Sequence, residues 1–180
     1  MRPSFPQLPV TARLTLRPFE ATDVAPFVRI QSNWNVTRML RLADYPPRAD
    51  EMGLWLAEAR AEWDQGIAFR FTVIKDGTVI GGADVDEVRD GWGELGYWLD
   101  EAFWGAGLAS EAAAAVRDFA FRALKLEGLG SGHAADNPAS GRVLRKLGFT
   151  HVGNERRWSK PRSAEIEQRL YRLERPHTQP

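Results

Sequence analysis

One stretch constrains this chain more than any other: residues 93–110, reading GELGYWLDEAFWGAGLAS. Its first half alternates, with Glu94, Gly96 and Trp98 on one face of a predicted strand and Leu95, Tyr97 and Leu99 on the other. Asp100 and Glu101 end that run as an acidic turn. Trp104, Gly105, Ala106, Gly107, Leu108, Ala109 and Ser110 then lead straight into an alanine-rich helical pattern. A strand, a glycine turn and a helix start in this order make an anion site. The first N–H groups of a helix have no internal partner, and the helix dipole favours negative charge beside them. Gly105 and Gly107 lack the Cβ atoms that would hold a phosphate off that backbone. A phosphate or pyrophosphate on the backbone of residues 105–110 is the expectation.

Glycine turns serve many ligands, and some serve none. The P-loop pattern requires a Lys-Ser/Thr pair after its second glycine, and this chain has none there. The dinucleotide fingerprint, counted from Gly105, ends on Ser110, and no clear βαβ unit follows. On the glycines alone, a plain strand-to-helix turn and a phosphate site stand level. A downstream segment adds to the picture. Asn137-Pro138-Ala139-Ser140 precedes Gly141-Arg142-Val143-Leu144-Arg145-Lys146-Leu147-Gly148-Phe149. The order of these segments resembles the GNAT superfamily of acyl-CoA-dependent N-acetyltransferases, and within it the RimJ/RimL branch that acetylates ribosomal proteins. The superfamily's Q/R-x-x-G-x-G/A motif is matched as Trp104-x-x-Gly107-x-Ala109, with the Trp that the branch uses in first place. The branch's "GYWL" strand falls on residues 96–99, its "WGxGxAxEA" turn on 104–112 and its "NxxSxxVLxKLGF" segment on 137–149. The resemblance covers residues 15–173.

Composition sets wider limits. The 180 residues suffice for one domain with a proper core, and no internal repeat is apparent. Lys+Arg and Asp+Glu are equal at 24 each, so no overall field points to nucleic acid or an anionic membrane. There are no cysteines, which removes disulfides, thiolate metal sites and a cysteine nucleophile. No run is long enough to span a bilayer, and the proline-rich start has no apolar signal core, so a cytoplasmic protein is expected. The histidines at 133, 151 and 177 have no metal-ligand spacing, and no metal is expected.

Along the chain, residues 1–10 read as a tail, 11–175 as the domain and 176–180 as a second tail. Strands are expected at 11–17, 68–75, 78–85, 94–99, 131–135, 150–157 and 166–173, with Asp76-Gly77 as a hairpin turn and Gly81-Gly82 as a bulge or close approach. Helices are expected from Thr22 or Asp23 to about Gln31, from Asp50 to about Gln65, from Leu108 to about Leu124 and from Asn137-Pro138 to Leu147. Pro18 breaks the first strand, and Gly128-Leu129-Gly130 closes the third long helix. The fold class is α/β of the α+β type: a single domain with a mixed, mostly antiparallel sheet flanked by helices. The resemblance implies in addition that the strands at 94 and 131 splay apart, with the pantetheine arm of acetyl-CoA in the gap and the amine entering from the other side.

Amine acetylation requires a held thioester, loss of a proton from the amine, stabilisation of the oxyanion and protonation of the leaving thiolate. Glu94 is the candidate base, directly or through water, and its ordinary value of ~4.3 must rise, or a relay must serve, against an amine near ~8 to ~10. A solvated strand-end acid is the equal alternative for Glu94. By resemblance, Tyr97, Trp98 and Leu99 bond the pantetheine and polarise the thioester, with buried core strand residues as their alternative reading; Asn137 bonds the pantetheine or substrate amide, and Ser140 donates to the departing sulfur. Asn137 reads equally as a helix cap. Many GNAT enzymes carry a tyrosine acid seven residues after that Asn, and here Leu144 stands in its place. Arg142 and Lys146, four apart on one helix, are candidates for a CoA phosphate, with a solvated face expected for at least one. Asp84, Asp86, Glu87 and Asp90 read first as a charged hairpin edge and second as an attractor for a cationic amine. His133, on the strand at 131–135, reads first as structural and second as an alternative base.

The reading is an acetyl-CoA-dependent N-acetyltransferase working by direct attack in a ternary complex, on a protein N-terminal α-amine or a small amine. Residues 34–45, 55–63 and 156–166 are the expected acceptor region. Leu144 leaves open a CoA-binding sensor or interaction module without catalysis. The late strand pair and the surplus tryptophans leave room for a homodimer.

Overall fold

The computed structural model describes residues 8–176. The chain runs β1 (Thr15–Pro18), α1 (Val24–Gln31), α2 (Trp34–Thr37), α3 (Ala49–Gln65), β2 (Phe69–Lys75), β3 (Thr78–Arg89), β4 (Trp92–Leu99), α4 (Leu108–Arg122), β5 (Gly128–Ala134), α5 (Pro138–Lys146), β6 (Thr150–Ser159) and β7 (Ala164–Glu174). One seven-stranded sheet has the order β1-β2-β3-β4-β5-β7-β6. Every neighbouring pair is antiparallel except β4 and β5. This is the single mixed α/β domain expected. Most of the two expected tails, residues 1–7 and 177–180, lies outside the described residues, as does His177.

The β2–β3 hairpin turns on Asp76 and Gly77, with φ of 48° and 77°. Positive φ at both central residues matches the turn to the twist of the strands. The expected irregularity at Gly81-Gly82 is a register shift, with Val73 opposite Gly81 and Ile74 opposite Val79. Alternation then sorts the β4 side chains. Leu95 and Leu99 join Phe71, Val73, Ala83 and Val85 against Ala112, Ala113, Val116, Phe119 and Ala120 of α4. Trp98 points the other way, into a cluster of Phe19, Phe27, Ile30, Met52, Leu56 and Ala59 from the α1–α3 side. The sheet is thus covered on both faces.

Several boundaries differ from expectation. The first strand is 15–18 and includes Pro18, which an edge strand tolerates because no partner needs its missing N–H on the outer side. Helix α3 starts at Ala49 with Arg48 as its N-cap, one residue before Asp50. Residues 128–130 do not close α4. They begin β5, where Gly128 and Gly130 stand opposite Trp92 and Glu94. A Cβ at either glycine would collide with the large side chain across the strand pair, so the glycines answer to cross-strand packing. β3 runs four residues past Val85, to Arg89, so the acidic run is mostly strand and not edge.

Candidate active site

The site is set by a fork in the sheet. β4 and β5 pair only at Trp92–Gly128, Gly93–Leu129 and Glu94–Gly130, although β4 continues to Leu99 and β5 to Ala134. Just past the last pair, Ser131 Oγ donates to the Leu95 carbonyl at 2.8 Å, a side chain bridging where the backbones part. Leu95 therefore turns its backbone polar groups toward the fork, and the two-residue period of a strand turns those of Tyr97 and Leu99 the same way. The Leu99 carbonyl accepts from Trp104 Nε1 at 2.9 Å, which ties the glycine turn to the end of β4.

A cavity of about 920 Å³ lies at this fork. Its wall includes Trp92, Glu94, Gly96, Tyr97, Trp98, Ser131 and Ser140. Residues 39–44, Trp55, Glu58 and Arg157 line it as well, so the three segments expected to face the acceptor all contribute. The β6–β7 turn is fixed against this side: Lys160 N–H donates to the Arg41 carbonyl at 2.8 Å, and Arg162 reaches the Arg38 carbonyl at 2.7 Å and Asp136 at 3.0 Å.

Glycines open the floor of the cavity. Asp84 lies over Gly96, where an added Cβ would meet its Oδ1 at 2.5 Å, and Trp98 lies over Gly82 at 2.9 Å. Glu94 lies over Gly130 in the same manner. Asp84, Asp86 and Glu94 consequently share one face. Burial, with help from Glu87 and Asp86 and against Arg157 and Arg89, pushes the Glu94 carboxyl up to about 7. The residue remains exposed along the cavity wall, so water reaches it. Burial and the neighbouring Asp86 also raise Asp84, against Arg70 and a hydrogen bond from the Gly96 backbone. Asp86 is raised by burial as well, although Arg70 lies 3.4 Å away. The preference for a charged hairpin edge is thus wrong for Asp84 and Asp86, which line the cavity together with Glu87. Asp90 lies outside it. The signal was present in the register, since Asp84 and Asp86 alternate in step with Gly96 and Glu94 across the hairpin.

The glycine turn lies outside the cavity lining. Gly105 and Gly107 have φ of 77° and 76°, and Gly107 is the N-cap of α4 with no side-chain cap bond. The α4 amides are left without the side-chain acceptor that α5 receives from Asn137, whose Oδ1 accepts from Ser140 N at 3.3 Å. Leu108 is buried, Ala109 and Ser110 half-buried, and Trp104, Gly105 and Ala106 exposed. Arg13, which the sequence reading passed over, sits on this turn. Its guanidinium donates to the Ala106 carbonyl at 3.0 Å and to Glu111 at 2.6 Å. Its place ahead of the first strand, far from the turn in sequence, hid it.

Ser140 stands where α5 faces the fork, and Tyr97 Oη lies 2.8 Å from its Oγ. Leu144 is fully buried in the core. Trp98 is 9 % exposed and packs edge-on to Phe27 at 4.8 Å, and Leu99 is 4 % exposed, so both side chains serve the core. Arg142 and Lys146 are exposed and form no ion pair among the described residues. His133 is structural: its Nδ1–H donates to the Ala134 carbonyl at 2.8 Å, and its Nε2 lies 3.3 Å from Tyr171 Oη. Among the described residues no three His, Asp or Glu side chains are placed to share a metal ion, and no helix is long and apolar enough to cross a membrane.

Comparison with known proteins agrees with this geometry. Residues 13–150 match the family described as acetyltransferase (GNAT) domain. The uncharacterized N-acetyltransferase p20 of Bacillus licheniformis is 30% identical over 169 residues, which cover 91% of this chain and 93% of that protein. In fold, the chain is similar to Mycobacterium smegmatis RimJ in complex with CoA-disulfide, with a TM-score of 0.86 at 23% identity over 97% of this chain and 90% of that one. It is also similar to a Salmonella typhimurium acetyltransferase that modifies the N-terminal serine of ribosomal protein L7/L12, with a TM-score of 0.82 at 19% identity over 94% and 99% of the two chains. With the split sheet, the glycine turn before α4 and the matched family all falling on the same residues, the chain belongs to the GNAT family of N-acetyltransferases.

Proposed function

We propose that this protein transfers an acetyl group from acetyl-CoA to a primary amine by direct attack in a ternary complex. The observation that carries the reading is the fork, which opens a cavity holding Glu94 on one side and the Tyr97–Ser140 pair on the other. The residues present suit the donor. Its pyrophosphate fits the uncapped start of α4, where Gly105 and Gly107 clear the approach and Leu108, Ala109 and Ser110 supply amides. Its extended arm fits the unpaired edge of β4, along Leu95, Tyr97 and Leu99. Bound acetyl-CoA supplies an activated acyl carbon. Arg142 and Lys146, exposed and without an ion pair among the described residues, are candidate cations for its outer phosphate.

The chain's own groups supply the rest. Glu94, raised toward neutrality, accepts the amine proton directly or through cavity water. The acidic floor of Asp84, Asp86 and Glu94 favours an ammonium over an anion as the arriving acceptor. Ser140 Oγ–H faces the position of the departing sulfur. No cysteine is available for an acyl-enzyme. The acceptor we favour is a protein N-terminal α-amine, the substrate named for the Salmonella relative of the same fold, with small amines as the other class.

Isothermal titration with acetyl-CoA, with NADH and ATP as controls, tests the donor, and thiol release across N-terminal peptides and small amines tests the acceptor. Saturable binding of acetyl-CoA alone, followed by amine-dependent thiol release, is the expected result. Binding with no turnover on any amine would instead favour the CoA-binding module that the buried Leu144 suggests. No binding to the folded protein would end both readings.

A further inference from the structure

The hydroxyl pair at the fork carries an assignment beyond the roles given so far. Tyr97 Oη lies 2.8 Å from Ser140 Oγ and 3.0 Å from the Ser140 carbonyl oxygen. Both residues are half-buried, and both line the cavity. We infer that Tyr97 is a positioning residue that orients the Ser140 hydroxyl toward the fork, so that the two hydroxyls together replace the single tyrosine acid whose place is filled by Leu144. This rests on the acetyl-transfer reading above.

Tyr97 has one O–H and two neighbouring acceptors, both on Ser140. Ser140 lies in the first turn of α5, where its carbonyl already accepts from the amide four residues on. The second lone pair of that carbonyl and Ser140 Oγ both lie within reach of the Tyr97 proton, and either hydroxyl can donate across the 2.8 Å contact, which in both cases holds Oγ beside Tyr97. In the arrangement proposed, Tyr97 donates to Oγ, so the Ser140 proton is turned outward. Without Tyr97, a serine this close to a helix start swings to the backbone carbonyls of the preceding turn. Asn137 completes the arrangement from below, since its side chain accepts the Ser140 amide and fixes the first turn on which the hydroxyl rides. Burial holds the Tyr97 phenol well above its ordinary range, so it stays a neutral donor throughout.

In the transfer step the amine lone pair forms the C–N bond, the C–S bond breaks and its electron pair goes to sulfur. The amine proton goes to Glu94. Sulfur takes the proton of Ser140 Oγ as Ser140 regains one relayed through cavity water from protonated Glu94, so the proton leaving nitrogen balances the one reaching sulfur, with Tyr97 bonded to Oγ at every stage. Tyr97 touches no reacting atom.

The test is a double-mutant cycle of Tyr97→Phe and Ser140→Ala, read as kcat, KM for acetyl-CoA, and acetyl-CoA Kd by titration. Phenylalanine keeps the ring and its packing, so Kd and KM are expected within twofold of the wild type. Tyr97→Phe should lower kcat about tenfold, Ser140→Ala at least as much, and the double variant no more than Ser140→Ala alone, because one interaction is removed once. Losses that multiply, or a Tyr97→Phe change confined to Kd and KM, would overturn the assignment and make Tyr97 a donor contact. A wild type that binds acetyl-CoA but acetylates no amine would overturn the functional reading itself, and this inference with it. The thermal midpoint of each variant, measured with and without acetyl-CoA, separates misfolding from either result.

Discussion

At the scale of single residues, the Glu94 carboxyl and the glycine across from it set the behaviour of the site. Glu94 is raised to about 7 by burial and by Glu87 and Asp86. The base form is the ionised one, so amine-dependent kcat/KM is expected to climb through about pH 7 and level off above it. Glu94→Gln should flatten that limb and cost about 100-fold at its plateau, which a pH–rate profile checks. Stability follows the opposite sign. A carboxyl whose folded value lies above its unfolded one favours folding while protonated, and that advantage is lost as pH rises from its ordinary value toward 7. Thermal midpoints of Glu94→Gln and wild type should therefore differ more at pH 8 than at pH 5, in the variant's favour, and only slightly because the side chain meets water. Gly130 yields a sharper test. A Cβ there strikes the end of the flexible Glu94 side chain, whereas a Cβ at Gly81 strikes the backbone of Trp98 and Leu99. Gly130→Ala should keep its midpoint yet lose activity like Glu94→Gln. Gly81→Ala should lose stability, by about 1–3 kcal/mol for forced overpacking.

Among the elements, α4 and α5 contrast at their first turns. α5 is closed by Asn137, and Asn137→Ala should cost about 1 kcal/mol, a fall of a few degrees in midpoint by calorimetry. α4 begins at Gly107 with nothing of its own on its amides. Both were legible in the sequence, because a Pro after Asn and a glycine turn before alanines are local signals. The Asp76-Gly77 hairpin, the bulge beyond it and the strand at 94–99 were legible for the same reason. What escaped was non-local. Residues 128–130 looked like a helix terminator because glycines end helices, and only the arrival of Trp92 and Glu94 from β4 explains them as strand. Asp84 and Asp86 looked like an edge because acids usually are, and only the register with Gly96 and Glu94 turns them into a cavity floor. Arg13 meets Ala106 and Glu111 across 93 and 98 positions of chain, a distance no window of sequence spans.

For the whole molecule, donor binding should be visible as stability. A ligand held by the folded state alone adds about 2.7 kcal/mol at a hundredfold excess over Kd, so the thermal midpoint should rise with acetyl-CoA concentration and stay put with ATP. The two sides of the sheet divide the work. On the acetyl-transfer reading the first turn of α4 faces the donor, while the loop at residues 39–44, α3 and parts of β6 and β7 wall the cavity. Such a plan lets acceptor preference change without disturbing the donor machinery. The fork has one more consequence. A strand edge with unpaired amides invites any passing chain to add itself, and proteins usually blunt such edges at the rim of a sheet. Here the open edge lies within the sheet, facing β5 across the fork. The ligand such an edge suits is narrow, flexible and carries amides of its own, so on the acetyl-transfer reading the backbone itself selects by shape before any side chain reads the ligand.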